Sequence, residues 1–154
     1  MTELSLYVDD RQKTLALSEA DRDLIEALVS FVVPKITVEG QVEVSVSFVE
    51  PEEIRRLNRD FRGVDKVTDV LSFPMNEAYG DYRNLGDVII NTQRVEAQAK
   101  EFGHSYRREI TYLTVHSLLH LVGYDHEEVE EKKAMRAKEE ALLAAFEGEE
   151  NEAR

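Results

Sequence analysis

Three of the chain's four histidines fall within the eleven residues from His116 to His126. His116 and His120 are four positions apart, so on a helix their rings lie on one face, one turn from each other. Gly123 can end that helix, because glycine adopts the left-handed conformation of a C-terminal cap, and the following turn can bring His126 back over the same face. Three imidazoles without a fourth protein ligand leave a position open to water or substrate. The spacing therefore predicts a catalytic metal site with these three histidines as ligands.

The same pattern, His-x-x-x-His-x-x-Gly-x-x-His, is used by one class of zinc proteases. In those proteases a glutamate follows the first histidine and acts as general base. Ser117 stands at that position here, and a hydroxyl cannot accept a proton near neutral pH. A metal can still lower the pKa of a bound water to about 7 and supply the nucleophile itself. We therefore expect hydrolysis by a metal-held water at His116, and not peptide hydrolysis.

The absence of cysteine restricts any transition-metal site to histidine and carboxylate ligands. Neutral imidazoles in a tetrahedral field favour one Zn²⁺ ion, with nickel, cobalt or copper as alternatives. Asp125 has two interpretations, as an acceptor for a ligand N–H or as a residue of the turn. His104 and Ser117 are further candidates for supporting roles near the metal, although His104 is first of all a polar loop residue.

A basic segment interrupts an otherwise acidic chain, whose formal net charge of −13 argues against a general nucleic-acid binder. Its positive residues are Arg55, Arg56, Arg59, Arg62 and Lys66. Such a segment is often only a solvated helix face. Beside a metal, however, a guanidinium can hold a phosphate with two hydrogen bonds and stabilise charge that develops on it.

Length and composition indicate one domain spanning residues 1–154, with an acidic, frayed tail from about residue 147. Apolar residues make up 42% and charged residues 33% of the chain, as in ordinary globular proteins. The sequence has no apolar run of membrane-spanning length, and its first residues lack the features of a signal peptide. We therefore expect no membrane association and a cytoplasmic protein.

Hydrophobic periodicity predicts the elements that must position the histidines. Strands are expected at residues 4–8, 42–48, 70–73 and 86–91, the last buried on both faces at 88–90. Helices are expected from the capping sequence at 18–21 to a stop at Pro34, and at 52–60, 92–102, 106–121 and 127–146. Residues 75–85 show no period and are expected to form a flexible loop. The predicted fold is α+β, a four-stranded mixed sheet covered by helices, with the metal site in the C-terminal half.

Three blocks of residues resemble the YbeY-type endoribonuclease family, bacterial metal-dependent enzymes of ribosomal RNA maturation. They are Leu57-Asn58 with Phe61-Arg62 and the run 68–74, then Leu85-Gly86-Asp87-Val88, and finally Gly103-His104 with the run 114–126. The chain departs from the family at Val67, where proline is frequent, and at Ser117, where glycine is usual. These departures concern local geometry more than activity.

The resemblance implies zinc on the three histidines, a single-stranded RNA phosphodiester as substrate, and a functional Arg62 in the cleft beside the metal. It also implies maturation of the 3′ end of 16S ribosomal RNA, ribosome quality control, and contact with the small ribosomal subunit and its factors. A basic cleft on an acidic body would admit RNA at one place. Two alternatives stay open: a metal hydrolase of another phosphoester, or a ribosome-assembly factor whose metal is mainly structural. Sequence leaves open whether water or the RNA 2′-hydroxyl attacks, and the oligomeric state.

Overall fold

A mixed sheet lies at the centre of the computed structural model, which describes residues 1–13, 17–37 and 39–152. Within those ranges it has four strands in the spatial order β1-β2-β4-β3. Strands β1, β2 and β4 run parallel, and β3 pairs antiparallel with β4 at the edge. The strands are β1 (Thr2–Asp10), β2 (Gly40–Phe48), β3 (Val70–Tyr79) and β4 (Tyr82–Ile90). The predicted α+β class with a helix-covered mixed sheet is confirmed.

Helices cover the two faces of this sheet unequally. They are α1 (Glu19–Ile36), α2 (Pro51–Arg62), α3 (Thr92–Phe102), α4 (Tyr106–Leu121) and α5 (Val129–Glu152). The main core joins side chains of α1, α3, α4 and α5 to one face of the sheet, while α2 contributes to a smaller core on the other face. In the described ranges, no helix has the length and apolar character needed to cross a membrane.

The central strands follow from their side-chain patterns. Val42, Val44, Val46 and Phe48 of β2 are buried at alternate positions, because successive side chains of a strand point to opposite faces. Residues 88–90 of β4 are buried on both faces, with the middle one in the smaller core and its neighbours in the larger. The expectation for this strand is therefore confirmed.

Helix α4 occupies the middle of the helical layer and contacts α1, α3, α5, β3 and β4. Its bounds, and those of α3, agree with the predicted helices. Most of its side chains are buried, and the last two turns carry His116 and His120. The core packing of this helix therefore fixes the position of two of the three histidines.

Pro34 does not stop α1, which continues to Ile36. Proline removes one backbone donor and disfavours helix continuation. Two features stabilise the final turn. Val32 and Val33, which precede Pro34, are fully buried, and Lys35 Nζ donates to the Phe31 carbonyl at 3.3 Å. Tertiary packing therefore overrides the local preference.

The prediction of a flexible loop at 75–85 is wrong, because these residues form most of a hairpin. β3 continues to Tyr79, the chain turns at Gly80, and β4 begins at Tyr82. The two tyrosine rings stack at 6.4 Å, and the Tyr82 hydroxyl donates to Glu43 Oε1 at 2.9 Å. A break in strand register between Pro74 and Glu77 explains why the sequence shows no alternation.

The predicted frayed tail is helical up to Glu152; residues 153 and 154 lie outside the described residues. Phe146 is buried and packs edge-on against Phe31 at 5.6 Å. Arg107 Nη2 lies 3.8 Å from carboxylate oxygens of both Glu147 and Glu150. These contacts extend the helix where charge alone predicted fraying.

The bulge between β3 and β4 depends on Gly86, and its replacement by alanine should strongly destabilise the fold. Gly86 has φ +128°, and an added Cβ would lie 2.1 Å from the Phe73 carbonyl oxygen. Strained backbone plus this clash predicts a loss of about 3 kcal/mol or more in the free energy of unfolding. The measurement is urea denaturation.

Gly80→Ala is the matched control, since Gly80 also has positive φ (+62°) but open space around the added Cβ. It should cost about 1–2 kcal/mol, from the left-handed backbone alone. Equal losses in the two variants would show that the close approach at Gly86 is unimportant.

Candidate metal centre

The structure brings His116, His120 and His126 together at the C-terminal end of α4. One ring nitrogen from each lies within 4.8 Å of the others. The ring centroids of His116 and His120 are 4.6 Å apart, and the His126 centroid lies 5.7 Å from that of His116 and 5.1 Å from that of His120. His116 and His120 are half-buried, and His126 is exposed. The three rings therefore form a cluster that is open on one side.

The reversal of the chain after α4 places the third histidine. Gly123 has φ +102°, and its N–H donates to the His120 carbonyl at 3.1 Å. The Tyr124 N–H donates to the Leu119 carbonyl at 3.0 Å. Asp125 Oδ1 then accepts the His126 backbone N–H at 2.7 Å. Of the two interpretations of Asp125, the observed hydrogen bond is that of the turn residue.

The nitrogen positions fit a metal ion. His116 Nε2 and His120 Nε2 are 3.1 Å apart; two nitrogens each about 2.0–2.1 Å from a tetrahedral ion would be separated by about 3.3 Å. Burial, and then the neighbouring rings of His116 and His126, lower the pKa of His120. This favours the neutral imidazole, which is the form that binds metals. Three neutral imidazoles are a donor set that suits zinc.

Glu139 of α5 is a functional candidate that the sequence analysis missed. Its Oε2 lies 3.3 Å from His116 Nδ1, and the residue is only 3% exposed. A hydrogen bond from Nδ1–H to this carboxylate leaves Nε2 of His116 for a metal. The sequence did contain a signal, because Glu139 shares the apolar face of α5 with Met135, Leu142 and Phe146. A carboxylate on a buried face requires a partner.

Tyr112 joins this carboxylate from one turn earlier on α4. Its ring stacks on His116 with centroids 5.9 Å apart. Burial raises the pKa of Tyr112, and the negative charge of the adjacent Glu139 carboxylate adds to the increase. The protonated Tyr112 side chain therefore lies beside the same carboxylate that contacts His116.

The cluster opens into a cavity of about 610 Å³, whose other wall includes Arg62 and the segment 68–72. Within the described ranges Arg62 forms no ion pair, whereas Arg55 Nε lies 2.9 Å from Asp65 and Arg59 Nε lies 3.0 Å from Asp60. Gly63 caps α2 in the left-handed conformation immediately after Arg62. Arg62 is thus a cation at the wall of the histidine cavity that pairs with no carboxylate among the described residues.

The segment opposite the histidines is held by residues that the sequence analysis did not select. Asn91 Nδ2 donates to the Thr68 carbonyl at 3.2 Å, and the Asn91 N–H donates to the Asp69 carbonyl at 2.8 Å. Gln98 Nε2 donates to Asp69 Oδ2 at 2.9 Å. The start of α3 therefore fixes the backbone of this wall. These contacts are distant in sequence, so no local pattern indicates them.

Two predicted neighbours of the metal lie elsewhere. His104 precedes α4 and lines a different cavity, near Phe102; about 16 Å of helix separates it from His116 at 1.5 Å per residue. Ser117 is fully buried, and its hydroxyl has no hydrogen-bond partner among the described residues. Neither side chain is part of the cavity wall. The structure therefore shows no contact through which either side chain would support a metal at the three histidines.

Comparison with known proteins decides the family. The family model described as Endoribonuclease YbeY matches residues 7–147. The chain belongs to the YbeY endoribonuclease family. It is 44% identical to Endoribonuclease YbeY of Thermoanaerobacter sp. (strain X514), covering 92% of this chain and 96% of the relative. It is 38% identical to Endoribonuclease YbeY of Clostridium botulinum (strain 657 / Type Ba4), with 92% and 97% covered.

A solved structure shares the fold of this chain. The solution structure of TM1509 from Thermotoga maritima matches with a TM-score of 0.65 and 32% identity, covering 97% of this chain and 93% of that one. The predicted resemblance to the YbeY family, and with it the expectation of an endoribonuclease-type enzyme, are confirmed. The histidine cluster and Arg62 both fall within the residues that the YbeY model matches.

Replacement of Glu139 by glutamine should weaken metal binding by about tenfold or more, because hydrogen-bonded carboxylates behind ligand histidines typically contribute 10- to 100-fold to affinity. The variant keeps the shape of the side chain but loses its charge. The measurement is competition between the protein and a chromogenic zinc chelator.

Glu140→Gln is the control, since Glu140 is the adjacent residue on α5 and pairs with Arg136 on the surface. Its zinc affinity should equal that of the unmodified protein. Equal affinity for Glu139→Gln and Glu140→Gln would remove Glu139 from the centre.

Proposed function

We propose that residues 1–154 form one zinc-dependent endoribonuclease domain that cleaves single-stranded RNA. The observation that carries this proposal is the joint presence, in one cavity, of three convergent histidines and an arginine without a carboxylate partner among the described residues, in a member of the YbeY family. His116, His120 and His126 are the proposed zinc ligands, and nickel or another divalent transition metal is the alternative. Arg62 is the proposed partner of the scissile phosphate.

The histidines and Glu139 have distinct proposed roles. A zinc ion supplies Lewis-acid polarisation of a phosphate oxygen and a water of lowered pKa. Glu139 accepts a hydrogen bond from the Nδ1–H of His116 and so favours the tautomer whose Nε2 is left free for the metal. The lowered pKa of His120 keeps that ring unprotonated. The open side of the cluster, at the exposed His126, leaves access for substrate.

Arg62 is proposed to bind and orient the phosphate. Its guanidinium presents several N–H donors in one plane, which suits two oxygens of a phosphodiester. Because Arg62 makes no ion pair with a described residue, no carboxylate has to be displaced before phosphate binds. Donors already placed where negative charge develops typically lower the barrier for phosphoryl chemistry by several kcal/mol.

The charge distribution supports entry of RNA at this cavity. The chain carries a formal net charge of −13, yet α2 ends in Arg59 and Arg62 next to the cavity. An acidic body repels a polyanion over most of its surface, so attraction is confined to the basic region. A single strand can bend to bring a phosphodiester between the histidines and Arg62.

The proposed process is maturation of the 3′ end of 16S ribosomal RNA, together with ribosome quality control. This part of the proposal rests on the resemblance of the three sequence blocks to the YbeY family, supported by the curated relatives named Endoribonuclease YbeY. The proposed partners are ribosomal RNA and the small ribosomal subunit with its associated factors, in the cytoplasm.

Replacement of His120 by alanine should abolish both metal binding and RNA cleavage, because two imidazoles cannot hold zinc tightly in the presence of a chelator. We expect about one zinc per chain for the unmodified protein by elemental analysis, none for the variant, and at least a 100-fold lower rate on single-stranded RNA. His104→Ala is the control and should keep both properties.

Undiminished cleavage after complete removal of metal would contradict the metal-dependent function. Cleavage of other phosphoesters but not RNA would favour a different hydrolase. A metal-free variant that folds poorly yet supports ribosome assembly would favour a structural metal. The RNA ends identify the nucleophile, since attack by the 2′-hydroxyl leaves a cyclic phosphate.

Arg62→Ala should retain zinc but reduce kcat/KM on RNA by about 100- to 1000-fold, the usual cost of losing one preorganised donor to developing charge. Arg56→Ala removes the same charge from an exposed position of α2 outside the cavity wall. Its rate should change by about threefold at most, through general electrostatics. Similar losses of kcat/KM in both variants would show that Arg62 contributes only to the general electrostatic attraction of RNA.

A further inference from the structure

Phe61, the residue before Arg62, is an aromatic side chain that folding leaves largely in solvent. It is 69% exposed. Its ring nevertheless has a defined contact, since it meets the Phe73 ring edge-on with centroids 5.4 Å apart and an interplanar angle of 64°. Such edge-to-face contacts are directional. The contact with Phe73 therefore orients the Phe61 ring, while most of the ring surface stays accessible to solvent.

The location of this ring relates it to the histidine cavity. Arg62, the next residue, lines the cavity, as do Ser72 and Pro74 on either side of Phe73. Because side chains alternate along a strand, Phe73 points to the opposite face of β3. β3 is an edge strand. Phe61 and the cavity thus lie on the two sides of this edge strand, and Arg62 connects Phe61 directly to the cavity wall.

The charges around Phe61 are those of a polyanion-binding surface. The two nearest acidic residues in sequence, Asp60 and Asp65, are each paired with an arginine of α2. Arg62 and Arg56 form no ion pair with any described residue. A large exposed aromatic ring next to Arg62, which pairs with no described carboxylate, suits nucleic acid better than an apolar protein surface, because a base can stack on the ring while its phosphate pairs with the guanidinium group.

We propose that Phe61 is a stacking platform for an unpaired base of the RNA, adjacent to the phosphodiester held in the histidine cavity. This inference rests on the proposed function and adds a binding subsite to it. Aromatic platforms of this kind tolerate any base, since every base has a π-face, and they reject duplexes whose bases are already stacked. Phe61 thereby adds selectivity for single strands to the proposed binding of a bent strand between the histidines and Arg62.

Kinetics on single-stranded RNA test the platform in the zinc-loaded protein. Phe61→Ala and Phe61→Leu should raise KM about 5- to 150-fold, the range for loss of one stacked base, with a smaller effect on kcat. Phe61→Trp should remain within about threefold of the unmodified protein. Phe102→Ala is the matched control, because Phe102 is also a largely exposed phenylalanine (59%) at the end of a helix but lines the other cavity. It should leave KM unchanged.

A direct binding measurement complements the kinetics, because the chain contains no tryptophan. Phe61→Trp therefore introduces a single indole, whose fluorescence a stacked base should quench. An oligoribonucleotide added in the presence of EDTA, to prevent cleavage, should quench the Phe61→Trp variant. A duplex of the same sequence should quench it much less, and the Phe102→Trp variant should respond to neither.

The outcomes separate this inference from the proposed function. If the unmodified protein cleaves RNA with metal, but Phe61→Ala keeps its KM and the Phe61→Trp indole is not quenched, the platform is wrong and the nuclease function stands. If no RNA is cleaved, the proposed function fails, and quenching alone then decides whether the ring binds bases. If Phe61→Ala raises KM but Phe61→Leu has the KM of the unmodified protein, the ring makes only an apolar contact and the stacking proposal is wrong. Urea denaturation of each variant excludes misfolding as the cause.

Discussion

The packing of α4 is the constraint on which the rest of the site depends. This helix has to be buried against the sheet and three other helices, so its rotation about its own axis is fixed by the core. Its C-terminal half reaches the cavity through Leu113, His116 and His120. Because cores pack at crystal-like density, a small rotation of the helix would displace both imidazoles from the geometry that a metal needs.

Around this helix, four other parts of the chain complete the site: the turn after α4, helix α5, the sheet and helix α2. The turn at Gly123 returns the chain so that His126 faces the other two rings. α5 contributes Glu139, a buried carboxylate whose Oε2 lies 3.3 Å from His116 Nδ1 and which is therefore tolerated in an apolar interior. The sheet supplies the opposite wall, and α2 supplies a cation that has no carboxylate partner in the described ranges.

Local patterns predicted the elements whose side chains repeat with a clear period. Helices α3 and α4 agree with the predicted bounds, and the buried strand at 88–90 was recognised from its composition. The errors occurred where long-range contacts override local preference. Pro34 is held within α1 by the packing of its neighbours, and the hairpin beyond Pro74 has a register break that removes the alternation. The acidic end of α5 is anchored by Phe146.

The sequence by itself determined the chemistry: three imidazoles at helical and turn spacing, no cysteine, no glutamate after the first histidine, and an arginine-rich segment. Those features follow from residue type and local geometry, so one chain suffices to recognise them. Only the tertiary structure decided which side chains lie beside the histidine cluster. It places Glu139 Oε2 3.3 Å from His116 Nδ1 and leaves the Ser117 and His104 side chains off the cavity wall. Burial and long-range hydrogen bonding depend on the packing of distant segments, which no local periodicity encodes.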